Sequence, residues 1–239
     1  MQVRKNNVLL LVGASFFITI LLTGCLKSSP TEPPKPMSYF SVMHLAPRAP
    51  SVEIYFNSDK ASNPFTSGSY TERYSEVTPG TFSITFKKSG GDSVMASIPI
   101  DRYDSLNYYT MLIYNTPDTL VGAQAIEDDF SVLTSDKAYY RFFHMSPDIG
   151  EVDVFFNTEK VQPNRNYADN VFGSYYFNQF GAINNNTYNI TVKKAGEDSV
   201  IAQTNATLYN MNAYTIFLKG IPGGSGNNAL GISVLQASN

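Results

Sequence analysis

His144–Lys160 reads HMSPDIGEVDVFFNTEK, and His44–Lys60 reads HLAPRAPSVEIYFNSDK. The stretches lie one hundred residues apart and share a plan: a His, a Pro three residues on, an alternating run, and a close on Phe-Asn-(Ser/Thr)-(Asp/Glu)-Lys. Val52, Ile54 and Phe56 alternate with Glu53 and Tyr55, the period of a strand with one buried face. Phe82, Ile84 and Phe86 alternate in the same way with Thr81, Ser83 and Thr85. Between Lys87 and Val94, Gly90 and Gly91 supply the positive φ angles of a hairpin turn. Asn107–Asn115 and Thr119–Ile126 give two more strands around Thr116-Pro117-Asp118. No long window carries an i, i+3, i+4, i+7 apolar stripe, so almost no helix is expected.

The repetition continues beyond the opening block. Thr81–Lys88 recurs as Thr187–Lys194 at an offset of 106, and Tyr109-Thr110 recurs as Tyr214-Thr215 at an offset of 105. The change of offset places extra residues within Val161–Asn186, an Asn-rich segment expected to be a longer surface loop. Residues 37–128 and 138–239 are then two copies of one unit, joined through the polar, acidic linker 129–137 around Phe130 and Leu133. Each copy, with roughly seven short strands and regular turns, has the size of an immunoglobulin-like sandwich. The expected fold is all-β: two tandem immunoglobulin-like antiparallel β-sandwich domains. Cys25 is the only cysteine, so neither copy holds a disulfide, and the 16 Phe and 16 Tyr must fill the cores. A continuous double sandwich whose halves exchange edge strands is the other arrangement.

Ahead of the repeats, Arg4 and Lys5 precede the apolar stretch Val8–Leu22, which is short for a membrane span. Leu21-Leu22-Thr23-Gly24-Cys25 resembles the lipobox of bacterial lipoproteins. That resemblance implies that residues 1–24 are a signal peptide, that Cys25 is lipidated, and that the acyl chains anchor the protein to the outer membrane, on its periplasmic or its outer face. Residues 25–36 form the tether; Leu26–Pro36, with four prolines, favours an extended spacer. Loss of Arg4 and Lys5 with the signal takes the net charge from −3 to −5. A chain without a basic excess or a Cys/His finger lacks the electrostatic footprint of a nucleic-acid partner.

His44 and His144 are the only histidines. By strand parity His44 lies with Phe40 and Val42, and His144 with Tyr140 and Phe142, at the end of an apolar face just before Pro47 or Pro147. Glu53 and Asp153 are the candidate carboxylate partners of these imidazoles. Because the whole His–Pro–acid set occurs twice, it reads as a fold-supporting signature and not as one active site. Nucleophilic catalysis has no Gly-x-Ser-x-Gly elbow and no second His in either copy. The protein is read as a non-enzyme without cofactor or metal. The acids Asp101/Asp104 and Glu127-Asp128-Asp129 lack the spacing of a calcium loop. Gly223–Asn228, with no Lys-(Ser/Thr) after it, reads as a flexible turn into the last strand, Ala229–Leu235. Asp92-Ser93-Val94, Asp104-Ser105-Leu106, Asp118-Thr119-Leu120 and Asp198-Ser199-Val200 resemble an O-glycosylation acceptor, which makes Ser93, Ser105, Thr119 and Ser199 candidate sugar sites. Tyr103, Tyr108, Tyr114, Tyr175 and Tyr176 are candidate platforms for sugar stacking.

The repeated box, with Tyr74–Thr85 (YSEVTPGTFSIT), resembles the two-copy domain of unknown function family 4397. His144-Met145-Ser146-Pro147-Asp148 and Val152-Asp153-Val154 match its His-Ala-Ser-Pro-Asp box and Val-Asp-Val strand. The first copy has Ala46 and Arg48 in place of the Ser and Asp, and the second has Asn186-Thr187-Tyr188 where the family's turn has Gly-Thr-Tyr. The resemblance implies exported, mostly lipid-anchored β-sandwich modules with no assigned activity. The expected function is a lipid-anchored envelope module that binds or scaffolds an envelope protein or polysaccharide. The alternative is a polysaccharide-binding protein or an accessory to a glycan hydrolase.

Overall fold

The computed structural model describes residues 35–118 and 120–237. The expectations for the signal peptide, for Cys25 and for Thr119 lie outside these residues, as does all of the tether but Lys35 and Pro36. The first half contributes β1 (Ser38–His44), β2 (Val52–Phe56), β3 (Asp59–Lys60), β4 (Ser75–Val77), β5 (Gly80–Lys88), β6 (Val94–Tyr103), β7 (Tyr108–Asn115) and β8 (Val121–Glu127). The second contributes β9 (Ala138–Met145), β10 (Val152–Phe156), β11 (Glu159–Arg165), the one-turn helix α1 (Asp169–Phe172), β12 (Gly181–Ile183), β13 (Asn186–Lys194), β14 (Val200–Leu208), β15 (Ala213–Lys219) and β16 (Gly231–Gln236).

The sheets are β4-β1-β7-β8 and β3-β2-β5-β6 in the first half, and β12-β9-β15-β16 and β11-β10-β13-β14 in the second. The two halves therefore repeat one strand order. Every sheet draws its strands from a single half, so no edge strand is exchanged. Two expectations are corrected. Lettered A to H along the chain, the order is D-A-G-H over C-B-E-F with eight strands, whereas an immunoglobulin sandwich has A-B-E-D over C-F-G. The pairing is also not wholly antiparallel: β1 runs parallel to β7, and β9 parallel to β15. Such partners are far apart in sequence, and a long crossover through the opposite sheet permits the parallel sense.

Three cores result. Phe40, Val42, Ile54, Ile84 and Phe86 belong to the first sandwich, and Phe142, Val154, Ile190 and Ile216 to the second. The third lies between the halves, where Met43, Leu112, Phe143, Met145 and Phe217 are all 0% exposed. Burial of each such side chain contributes about 1.5–3 kcal/mol. The inner strands β1, β7, β9 and β15 thus have two buried faces. Their residues are buried almost without interruption for that reason, while β5 alternates. From Pro36 onward the chain is one compact unit.

The segment Val161–Asn186 is no simple surface loop. It extends β11 along all of β10 and carries α1 and a 3-10 turn at Tyr175–Asn178, with Arg165, Ala168, Asn170 and Asn178 buried. Gly223–Asn228 is likewise anchored: the Lys219 ammonium donates to the Asn227 carbonyl (2.5 Å) and the Gly68 carbonyl (3.1 Å). Gly68, at φ +77°, lies so close that a Cβ would sit 2.2 Å from the Asn227 carbonyl oxygen.

Candidate functional site

Each box begins where an inner strand ends. Ala49 N–H donates to the Ala46 carbonyl (3.0 Å) and Ile149 N–H to the Ser146 carbonyl (3.2 Å), which closes a four-residue turn with Pro47 or Pro147 in second place. Proline's fixed φ suits that position. Both histidines are fully buried beneath these turns. His44 Nε2 lies 3.0 Å from the Pro50 carbonyl and His144 Nε2 lies 3.0 Å from the Gly150 carbonyl. A carbonyl only accepts, so Nε2 carries the proton in both rings. Burial pulls both imidazoles below their ordinary pKa and keeps them neutral. Ser146 N–H donates to His144 Nδ1 (3.4 Å), whereas His44 Nδ1 is buried without a partner. The imidazole thus ties the strand end to the exit of its own turn.

Glu53 and Asp153 do not partner the histidines. β2 and β10 lie in the sheets opposite β1 and β9, and these acids occupy the parity that faces away from the core. They meet the lysine that closes each block: Lys60 Nζ is 3.0 Å from Glu53, and Lys160 Nζ is 2.6 Å from Asp153. Hydrogen bonding from Lys60 holds the Glu53 carboxyl below its ordinary pKa. At Asp153 burial favours the neutral acid, but donation from Lys160 and from the N–H groups of Asn164 and Gly196 outweighs it and lowers the pKa. Asn57 and Asn157 are left-handed at φ 51° and 55°, and their Oδ1 atoms accept from Ser83 N–H (3.1 Å) and Asn189 N–H (2.9 Å). Every repeated feature of the block therefore has a partner inside its own sandwich.

The boxes also meet each other. Arg48 pairs with Asp148, the acid at the same place in the second box. Asn228 Nδ2 donates to the Pro47 carbonyl (3.4 Å), and Tyr167 OH donates to the Asn115 carbonyl (2.8 Å). At the other end of the same seam lies a polar cluster that sequence reading missed. Arg141 of β9 donates to Asp128 (2.6 Å), Thr215 (2.9 Å), the Asn178 carbonyl (3.1 Å) and Thr110 (3.2 Å). Asp128 also accepts from Tyr74 OH and Thr110 Oγ1, both at 2.6 Å. Burial pushes the Tyr74 phenol well above its ordinary range. The visible signal was one arginine inside the apolar run Ala138–Met145, AYYRFFHM.

The other candidates separate. Ser146 Oγ donates to the Gly220 carbonyl (2.7 Å), and Asp153 accepts from Lys160 and Asn164 N–H, away from His144. Of the acids 127–129, Glu127 accepts from Asn107, Asp128 is taken by Arg141 and Asp129 accepts from Ser131. Among the described residues no group of three or more His, Cys, Asp or Glu side chains is placed to hold a metal. Ser93 and Ser199 are exposed on equivalent turns, and Ser105 is half-buried. Tyr103 and Tyr114 are buried, which pushes Tyr103 up to about 12. Tyr108 is half-buried and stacks on Tyr39 at 4.8 Å. Tyr175 and Tyr176 are 61% and 71% exposed, and Phe172, 52% exposed, meets the Tyr114 ring at 5.5 Å. In the same segment Arg165 binds Asp169 through two nitrogens (2.6 and 2.7 Å), packs 3.9 Å from the Phe177 ring centre and is 1% exposed.

Fold and boxes together define an all-β protein built from two sandwiches of one strand order, each closed by a His–Pro turn. Residues 38–155 match the family described as domain of unknown function (DUF4397), and the match supports that domain family. It runs from the start of β1, through the whole first sandwich and the second box, into β10. No curated protein matches the chain.

Proposed function

We propose that the protein is a lipid-anchored, non-enzymatic binding module of the cell envelope. Cys25 is its lipidated residue, the proline-rich tether its spacer, and the two sandwiches are tandem copies of the same domain. The observation that carries the reading is the pair of exposed tyrosines Tyr175 and Tyr176, in the segment that also holds the buried Arg165–Asp169 ion pair. Exposed aromatics on a rigid frame are the side chains that anchor partners at low entropic cost. The ties already made by His44, His144, Glu53 and Asp153 support a role without proton transfer. The partner is an envelope protein or polysaccharide.

The test uses the chain from Leu26 onward, which contains the whole compact unit that begins at Pro36. Envelope pull-downs and glycan arrays are expected to retain a partner. Combined Tyr175→Ala and Tyr176→Ala substitutions should weaken that partner by about 30-fold, the loss of an aromatic anchor worth ~2 kcal/mol. Binding at background in both assays, or unchanged in the double variant, contradicts the proposal.

A further inference from the structure

In the first sandwich the two sheets part between their edge strands β3 and β4, and a cleft of about 550 Å³ opens there. Its floor is the cluster of Phe40, Phe56 and Phe82, with ring centres 5.0 to 6.2 Å apart. That volume and apolar lining are those of a small-molecule site. Three charged residues line it: Asp59, Lys60 and Glu76. The Lys60 ammonium is already paired with Glu53 at 3.0 Å. Asp59 on β3 and Glu76 on β4 are exposed and make no ion pair among the described residues. The mouth is therefore apolar within and acidic at both lips.

The second sandwich shows that this combination is particular to the first. Its counterpart opening, about 450 Å³, has Tyr140 and Tyr188 where the first has Phe40 and Phe82. Gln162 donates to the Tyr140 hydroxyl (3.4 Å), and Tyr188 OH donates to the Asn184 carbonyl (2.8 Å), so that interior is polar. Glu76, which pairs with Tyr39, is replaced by Ala182, which pairs with Tyr139, and Lys137 joins the lining. Glu159 keeps the place of Asp59, but the apolar floor and the second acid of the mouth are lost together.

The backbone of β2 beside the cleft offers no free ladder to a peptide strand. Val52 and Phe65 exchange both of their bonds (3.0 and 2.7 Å), Ile54 N–H donates to Ser62 Oγ (2.9 Å), and Ala61 N–H donates to the Ile54 carbonyl (2.7 Å). Strand addition needs such groups unpaired. We propose that the cleft of the first sandwich binds a small cationic amphiphile, with an alkyl or aryl group over Phe40, Phe56 and Phe82 and an ammonium or guanidinium head between Asp59 and Glu76. The site is separate from the exposed tyrosines of the second half, and either can fail without the other.

Calorimetric titration of the chain from Leu26 onward with decyltrimethylammonium, below its micelle concentration, is expected to give one site. Decyl sulfate, with the same tail and the opposite head, should bind about tenfold more weakly, because both lip carboxylates repel its head. Asp59→Asn with Glu76→Gln should remove that preference and leave the tail's contribution. Ala61→Phe, which places a ring at the exposed mouth, should abolish binding of both probes while circular dichroism stays unchanged. Equal affinity for the two probes, a preference that survives neutralisation of both acids, or no binding of the cation overturns the proposal; the neutralised pair decides even if Ala61→Phe fails to fold.

Discussion

His44 and His144 each commit Nε2–H to a carbonyl six residues downstream, and that commitment sets a pH limit on the fold. Burial depresses both folded-state pKa values below the ordinary 6.5, against the smaller raising effect of the carbonyl bonds and, at His144, of Asp169. The unfolded chain therefore takes up protons first as pH falls. Stability is complete above about pH 6.5 and declines below it until the folded pKa is passed, by up to about 1.4 kcal/mol per pH unit for each ring. Urea unfolding at pH 7.5 and 5.5 is expected to show that decline, and His44→Gln with His144→Gln should flatten it. A wild-type stability equal at the two pH values, or a slope kept by the double variant, contradicts the assignment. Strand parity alone placed these rings on the apolar faces. It did not place their partners, because a carbonyl in a turn leaves no mark in the sequence, whereas Glu53 and Asp153 looked like partners and belong to the opposite sheet.

The hairpin joining β2 to β3, and β10 to β11, turns on an asparagine at positive φ. A left-handed residue other than Gly costs about 1–2 kcal/mol, and Asn offsets part of that through its short polar side chain. Here Oδ1 of Asn57 and Asn157 also clasps the neighbouring strand at Ser83 or Asn189. Asn57→Ala is expected to lose about 1–2 kcal/mol, from backbone strain and the lost bond. Asn57→Gly, which relieves the strain and loses only the bond, should lose less; chemical denaturation of the two variants checks the order, and a reversed order sinks the strain argument. At this scale β2 and β5 were legible because one face of each meets water, so their sequences alternate. The inner strands were legible as strands but not as a seam, since a second buried face erases alternation without saying what covers it. Strand order was not legible either: eight short runs with turns fit both an immunoglobulin order and the observed one. The insertion hid its structure in a different way. Arg165, a cation in an Asn-rich segment, reads as solvated until Asp169, Gln162 and Phe177 close around it.

Across the whole molecule the question is whether the halves are beads or one body, and the seam answers through its composition. An apolar third core favours contact but does not fix alignment, because Met43, Leu112, Phe143 and Phe217 would tolerate small slips. The Asp128–Arg141 pair, 0% and 1% exposed in its side chains, tolerates none. Asp128 belongs to the end of the first sandwich with Tyr74 and Thr110, and Arg141 to the second with Thr215 and the Asn178 carbonyl. A buried pair of this kind stabilises little relative to apolar residues, yet removal of one member strands a charge in a dry site at a cost of about 3–5 kcal/mol. Asp128→Leu and Arg141→Met are each expected to lose about that much, and the double variant to lose clearly less than the two combined. The double should unfold in urea as a single transition through the retained third core, but with broadened methyl resonances from Leu112 and Phe143-facing residues if alignment has been lost. Strict additivity of the two substitutions would show that the pair is uncoupled. The same result would leave, among the described residues, the Arg48–Asp148 contact at the exposed rim as the seam's remaining ion pair, and an exposed pair contributes at most about 1 kcal/mol, too little to hold two sandwiches in register.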